Sequence, residues 1–353
     1  MRVAASSFYR TVGECRQGRG EGALETVGLM SVVVVSYNTR ALTLQCLESL
    51  CGNVPQGTEV CVVDNASSDG SAGALEEFAQ RSAVSVQVVC AERNLGFGAA
   101  NNVGAASTTG EFIALVNSDA FVRAGVLEGL QGYLQKTPHA AIAGPRLENA
   151  DGSFQESRFS FPSPFRAWVE NLGLARVNRF LRPKRSHSPG PVQWLSGACL
   201  MVRRAVWEDT GGFDESFFLY AEETDLQRRI AAKGWEIHWT PDFVVTHIGG
   251  SSGLAEREVV RERFFEGADR YIVRYHGFFG AWLFRAATVC GAVLRWGWSV
   301  LRSGRGGKSA LRWAWIVRRQ ISSPLPKASG RPHENVTPAA AALLPLKERQ
   351  PPA

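Results

Sequence analysis

Three acidic side chains, Glu222, Glu223 and Asp225, fall within four residues, just after the aromatic run Phe217-Phe218-Leu219-Tyr220. An alcohol that attacks an electrophilic carbon must lose its proton, and a carboxylate beside it can take that proton. The same acids would also favour the first turn of a helix, where the macrodipole attracts negative charge. Asn117-Ser118-Asp119 closes the apolar run Phe112–Val116. An acid there can cap a helix, or it can hold a hard cation such as Mg2+ or Mn2+, which completes its shell with phosphate oxygens. His247 closes a third apolar run, and its imidazole can either serve a turn or complete the coordination that Asp119 starts.

Two further segments carry ligand chemistry. In Val62-Val63-Asp64-Asn65-Ala66-Ser67-Ser68-Asp69-Gly70-Ser71, a strand-like run delivers an acidic turn. Asp64 can accept hydrogen bonds from a pyrimidine NH or from ribose hydroxyls, while Asp69 or Ser71 can cap the next helix. In Arg93-Asn94-Leu95-Gly96-Phe97-Gly98, the glycines permit close backbone approach, and free NH groups at a helix start suit a diphosphate. The spacing departs from a dinucleotide fingerprint, because Asn101 stands at the last glycine position and the loop follows the third strand rather than the first.

The elements that must position these residues are readable as alternating strands and helices. Ser31–Tyr37, Val60–Val63, Val84–Val89 and Phe112–Val116 are β-branched and apolar, and helix-length segments separate them. Such strands are buried on both faces, so the expected fold is α/β, a mostly parallel sheet with helices on both sides and ligands beyond the carboxyl ends of its strands. Between Ser153 and Gln193 the pattern gives way to Pro, Arg, Ser and aromatic residues, which reads as a long mobile excursion over the site.

The 353 residues, 45% apolar, suffice for a large core without disulfides, and seven scattered cysteines read as reduced thiols. Residues 1–29 hold no continuous apolar run of a secretory signal, so a cytoplasmic location is expected. The net charge of +6 is uneven: His276–Ala353 carries 12 Lys/Arg against 2 Asp/Glu, leaving 27 against 31 elsewhere. A basic, Trp-rich tail on a mildly acidic body points to an anionic membrane surface rather than to nucleic acid. Over Gly277–Gln320 the charged residues interrupt the apolar run short of the roughly 20 residues of a spanning helix. Helical spacing groups Arg285, Arg295 and Arg302 on one stripe, as in amphipathic helices lying in an interface. The expected organisation is an unstructured extension over 1–29, a catalytic domain over 30–277, basic membrane-associated helices over 278–320 and a disordered tail over 321–353.

Taken in order, Val33-Val34-Val35-Ser36-Tyr37-Asn38, Val63 to Ser71, Asn94 to Gly98, Asn117 to Asp119, Gly197 to Arg204, Gly211 to Phe218, Glu222 to Asp225 and His247 resemble glycosyltransferase family 2, in its rhamnosyltransferase-like branch. The resemblance implies a GT-A fold in which Asp64 recognises base or ribose, Asn94 and Gly96 lie along the donor, and Asp119 with His247 holds Mg2+ or Mn2+. Asn117 stands where an Asp is more usual, which leaves one anionic ligand fewer. Glu223 occupies the position of the family's general base, with Glu222 and Asp225 on the acceptor side. The implied reaction is a single inverting displacement from a nucleotide-diphosphate sugar, with dTDP-L-rhamnose favoured by the branch. The acceptor expected from the tail is a cell-envelope or lipid-linked glycan, at the inner face of the membrane. A processive synthase would need Q-x-x-R-W, and Arg295-Trp296 has Ala292 at the Gln position. The alternative from another class is a non-catalytic nucleotide-sugar-binding or membrane-peripheral scaffold protein.

Overall fold

The computed structural model describes residues 9–12, 30–172, 188–249, 257–303 and 307–327. These form two units, the first holding 9–12, 30–159, 188–249 and 257–260, the second 160–172, 261–303 and 307–327. In chain order the first unit begins β1 (Tyr9–Val12), β2 (Met30–Ser36), α1 (Arg40–Cys51), β3 (Glu59–Asp64), α2 (Ser71–Arg81), β4 (Ser85–Ala91), α3 (Phe97–Ala106) and β5 (Phe112–Asn117). It continues with β6 (Ala120–Val122), α4 (Val126–Lys136), β7 (Ala140–Glu148), β8 (Phe154–Gln155) and β9 (Arg158–Phe159). After α5 (Pro164–Asn171) of the second unit come β10 (Gly190–Val192), β11 (Trp194–Leu195), β12 (Cys199–Arg203), α6 (Arg204–Thr210), α7 (Glu222–Ala232) and β13 (Glu236–His247). From residue 261 on, α8 (Arg257–Ser303) belongs to the second unit, as does α9 (Lys308–Ser322).

The main sheet has the order β1-β4-β3-β2-β5-β12-β7-β13-β10. Strands β4, β3, β2 and β5 are mutually parallel, and so are β7 and β13. β12 runs antiparallel between β5 and β7. The valine run of β2 explains the two-sided burial. Val32 and Val34 enter one core with Leu47, Leu50 and Leu75, while Val33 and Val35 face the opposite side. Successive strand side chains point to opposite faces, so helices must cover both. Each fully buried valine contributes about 1.5–3 kcal/mol. Because the four central strands are parallel, the turns after β2, β3, β4 and β5 share one edge of the sheet.

Three expectations meet the structure here. Within 1–29, Tyr9–Val12 pairs antiparallel with β4 as an edge strand; the rest of that extension, and the tail from 328 on, lie outside the described residues. The segment 153–193 is not simply an excursion: β8 pairs with β7, β9 pairs with β11, and α5 is capped by Ser163, whose hydroxyl accepts from the Arg166 N–H. The two units divide at 260/261.

In the second unit, Gly277 adopts φ +68° and breaks α8 into two helical runs. The expected stripe of three arginines is not outward-facing throughout. Arg285 is 9% exposed, and its Nε and Nη2 donate to Asp269 at 3.1 and 2.7 Å. Arg319 donates to the same carboxylate at 2.6 Å and to Glu262 at 2.9 Å. Burying two guanidiniums requires such partners, and two acids against two bases leave no net charge. Arg295 reaches Asn171 Oδ1 at 3.1 Å, whereas Arg302 is exposed and lies over Trp298 at 5.2 Å. By length and composition, Glu258–Arg302 is long and apolar enough to cross a membrane, a stretch the sequence reading took to be interrupted too soon.

Candidate active site

The turns after β2 and β3 are tied together by side chains. Asn38, at φ +52°, accepts the Ser68 N–H at 2.8 Å on its Oδ1 and donates its own N–H to Ser67 Oγ at 2.9 Å. Asp69 accepts the Arg40 N–H at 2.9 Å and the Ser71 N–H at 3.1 Å, so it does the turn-forming work. That leaves Asp64 without a capping duty. It ends β3 at 2% exposure, its Oδ2 accepts the Ser67 N–H at 3.3 Å, and its Oδ1 is buried with no hydrogen-bond partner. Burial pushes its pKa up, against the lowering effect of Ser67. An unsatisfied buried carboxylate oxygen costs about 1–3 kcal/mol, a cost that a ligand N–H or O–H would remove.

The loop after β4 is locked by two asparagines. Asn65 accepts the Leu95 N–H at 2.9 Å and donates to Asn94 Oδ1 at 3.0 Å, and that same oxygen accepts the Gly96 N–H at 2.9 Å. Asn94 is therefore a brace for the loop. Gly96 has φ +86°, and a Cβ there would lie 2.3 Å from the Phe218 carbonyl oxygen. The close approach lets the Phe97 N–H donate to that carbonyl at 2.9 Å, which ties the segment before α7 to the loop. Asn65 is a positioning residue that sequence reasoning passed over; its place directly after Asp64 was the available signal.

Asn117, Asp119 and His247 come together although β5 and β13 are not neighbours in the sheet. Asp119 is 5% exposed; its Oδ2 accepts the Gly249 N–H at 3.1 Å and its Oδ1 lies 3.3 Å from His247 Nε2. Asn117 Nδ2 lies 3.4 Å from the same nitrogen, and Asn117 Oδ1 is buried without a hydrogen-bond partner. Gln155, on β8, fixes the imidazole. Its Nε2 donates to the His247 carbonyl at 3.2 Å, so its Oε1 is the atom facing His247 Nδ1 at 2.8 Å. Nδ1 then carries a hydrogen, and Nε2 is turned toward Asp119 and Asn117. A carboxylate oxygen and an imidazole nitrogen this close share either a proton or a metal cation. Their 3.3 Å separation is what two ligands bonded at about 2.1 Å to one ion show. These residues fit a divalent cation. Gln155 lay in the segment read as an excursion, and nothing in its sequence context marks it.

The acidic helix start is reached through two strained residues, Tyr220 at φ +69° and Ala221 at φ +71°. Non-glycine residues in this region cost about 1–3 kcal/mol each, so the surroundings must hold them. Glu222 is 3% exposed, and the Oε2 atoms of both Glu222 and Glu223 are buried without hydrogen-bond partners. Burial raises both carboxyl pKa values, and the neighbouring Glu223 raises that of Glu222 further. Glu223 faces Gly197, where a Cβ would lie 3.6 Å from the Glu223 Cβ. The next residue, Ala198, accepts the Asn117 N–H at 3.0 Å, so Glu223 is near the strand end that carries the Asn117–Asp119 segment. Asp225 departs from its expected acceptor-side place. It is fully buried and paired with Arg229 at 2.8 Å, and Arg229 also donates to the carbonyls of Thr210 and Gly212. Its position one helical turn before Arg229 gives it a structural partner.

A sheet of this topology, with unsatisfied oxygens gathered along the carboxyl ends of its parallel strands, is that of the GT-A glycosyltransferases. The chain belongs to glycosyl transferase family 2, whose family model matches residues 31–210, and it is rhamnosyltransferase-like within that family. It is 30% identical over 239 residues to the N-acetylglucosaminyl-diphospho-decaprenol L-rhamnosyltransferase of Mycobacterium tuberculosis, covering 62% of this chain and 76% of that protein. Among solved structures, GalNAc-T7 with UDP, GalNAc and Mn2+ aligns with a TM-score of 0.57 at 16% identity, over 86% of this chain and 59% of that one. A mannosyltransferase from Pyrobaculum calidifontis in complex with GDP-Man and Mn2+ aligns with a TM-score of 0.51 at 18% identity, over 83% and 84%. The two structural likenesses bear on the fold alone.

Proposed function

We propose that the protein transfers one L-rhamnosyl residue from dTDP-L-rhamnose to a hydroxyl of a lipid-linked or cell-envelope glycan, inverting the anomeric carbon. The observation that carries this reading is the set of buried, partnerless oxygens on Asp64, Asn117, Glu222 and Glu223, in a chain whose relative is a decaprenol-linked L-rhamnosyltransferase. Each oxygen matches one part of such a donor–acceptor pair. Asp64 Oδ1 receives an N–H of the base, and Asn94 and Gly96 shape the loop along the donor. Asp119, His247 and Asn117 would hold Mg2+ or Mn2+, which would neutralise charge on the departing nucleoside diphosphate. Glu223 takes the acceptor hydroxyl proton as that oxygen bonds to the anomeric carbon, and the carbon–oxygen bond to the diphosphate breaks, its electron pair leaving with the nucleotide. Glu222, beside it, lies in the same dry site, where burial and the Glu223 charge favour its protonated form.

The surface of the second unit supports work at the inner face of a membrane. Phe279, Trp282, Trp298 and Leu301 are 75, 64, 61 and 83% exposed, in a segment rich in Lys/Arg and free of acids from Gly277 to Gln320. Exposed aromatic and leucine side chains interleaved with cations fit the boundary between headgroups and acyl chains.

Calorimetric titration of dTDP-, UDP- and GDP-sugars, with and without Mn2+, tests the donor assignment on the wild type and on Asp119→Ala. Mn2+-dependent binding of the dTDP sugar, lost in the variant, is the expected result. Binding of another base would overturn the donor, and binding of none would favour the scaffold alternative.

A further inference from the structure

A second cluster of metal-ligating side chains lies at the other end of β13 from His247. Glu236 and His238, two residues apart on this strand, share one face, and His139 comes from the turn between α4 and β7. His139 Nε2 lies 3.3 Å from Glu236 Oε2, and His238 Nε2 lies 2.7 Å from the same oxygen. One ligand atom from each of the three falls within 4.8 Å of the others. β13 bulges between Thr240 and Val244, so His238 and Thr246 lie opposite Ala143 and Glu148 of β7, and the cluster is roughly 20 Å along the strand from His247, separate from the site around Asp119.

We propose that His139, Glu236 and His238 form a zinc-binding site unrelated to the catalytic cation. Two imidazoles and a carboxylate are a nitrogen-rich set that suits Zn2+ and fails Mg2+, which demands oxygen ligands. The ligands are held in advance. The Glu236 N–H donates to the His139 carbonyl at 3.0 Å, fixing the two backbones against each other. Tyr133 Oη lies 2.7 Å from His238 Nδ1, and the same hydroxyl is in a hydrogen bond with Thr137. Without metal, Nε2 donates to Glu236; on metal binding that hydrogen would leave, and Tyr133 would accept the Nδ1 hydrogen so that the Nε2 lone pair serves the metal, as outer partners of zinc-bound histidines do. Tetrahedral zinc with bonds of about 2.0–2.1 Å sets its ligand atoms roughly 3.3 Å apart. The His139–Glu236 pair has that spacing already. The His238–Glu236 pair opens by rotation of Glu236, whose side chain is 43% exposed. The side chain of His139 is 62% exposed, so water fills the fourth position, and the ion staples the turn before β7 to the start of β13.

The test is a titration of metal-free, full-length protein with Zn2+ alone, read by calorimetry and thermal melting, on the wild type, His139→Ala, Glu236→Gln and Asp119→Ala. Asp119→Ala, which lacks the catalytic carboxylate, is expected to bind one equivalent, and both it and the wild type to melt several degrees higher when saturated. His139→Ala and Glu236→Gln are expected to lose at least tenfold in affinity and most of the melting shift. His139 is exposed, so its variant keeps the fold. Co2+ in place of zinc should give the strong visible bands of a four-coordinate site, absent from His139→Ala. Equal Zn2+ affinity in the wild type and both ligand variants would overturn the proposal, because any zinc then bound would rest on thiols or on the catalytic centre.

Discussion

Asp119 Oδ1 and His247 Nε2 stand 3.3 Å apart, the first from the turn beyond β5 and the second from the last residue of β13. Short β6 brings them together, because it follows Asp119 immediately and pairs with β13 so that Ala120 lies opposite His247. The divalent-cation proposal rests on that register.

Asn117 is the partner that can be strengthened. Replacing it with Asp supplies a second carboxylate at the end of β5, where Asn117 Oδ1 is already buried without a partner. Asn117→Asp should tighten Mn2+ about tenfold, measured by calorimetry in the presence of nucleotide. Unchanged or weaker Mn2+ affinity would place the cation elsewhere.

Gln155 holds His247 without facing the cation itself. Gln155→Leu should weaken Mn2+ about 10–100-fold by freeing the imidazole, the scale seen for outer partners of metal ligands. Turnover should then recover at high Mn2+. A fall in kcat that no Mn2+ concentration restores would contradict a purely positioning role.

Glu223→Gln should leave donor binding intact and lower kcat about 10²–10⁴-fold, the usual contribution of a general base. In the wild type the pH profile of kcat should fall off, on acidification, above the roughly 4.3 of an exposed glutamate, because burial raises this carboxyl. A limb near 4 would mean that Glu223 is solvated and is not the base.

Glu222 ties stability to pH. Its folded-state pKa is raised, so the folded chain holds a proton that the unfolded chain has released. The resulting stability is complete below the unfolded value of about 4.3 and is lost as pH rises through the folded value. Glu222→Gln should therefore melt higher than the metal-free wild type at pH 7–8, with the difference closing toward pH 4. A difference that grows on acidification would reverse the assignment.

Gly96→Ala brings a Cβ onto the Phe218 carbonyl at a φ that alanine disfavours. The cost should be about 1 kcal/mol or more in stability by thermal melting. Activity should drop further than stability, because the segment leading to Glu223 is displaced. Equal losses in both would show that the loop does not position the acids.

Much of the fold is legible because the valine runs at Val32–Val35 and Val60–Val63 have no polar face, which permits only a sheet covered on both sides. The antiparallel insertion of β12 is not, since Cys199–Val202 is buried like its parallel neighbours and its direction comes from pairings distant in sequence. Asp64, Asp119, Glu223 and His247 stood out as candidates because reactive residue types follow apolar runs. Gln155 was not, because an amide in a polar segment looks the same whether it faces solvent or a histidine. Asp225 misled for the opposite reason. An acid beside two others shares their composition, and only the tertiary placement of Arg229 against the Thr210 and Gly212 carbonyls shows its structural duty.

The Asp269–Arg285–Arg319 cluster changes how the second unit would be felt from outside. Counting letters gives eight cations between Gly277 and Gln320, yet two of them are buried against carboxylates and project no field. An anionic bilayer would therefore meet an effective valence smaller than the sequence advertises. Added salt would weaken adhesion less steeply than eight charges imply, leaving the exposed aromatic side chains to carry more of the hold.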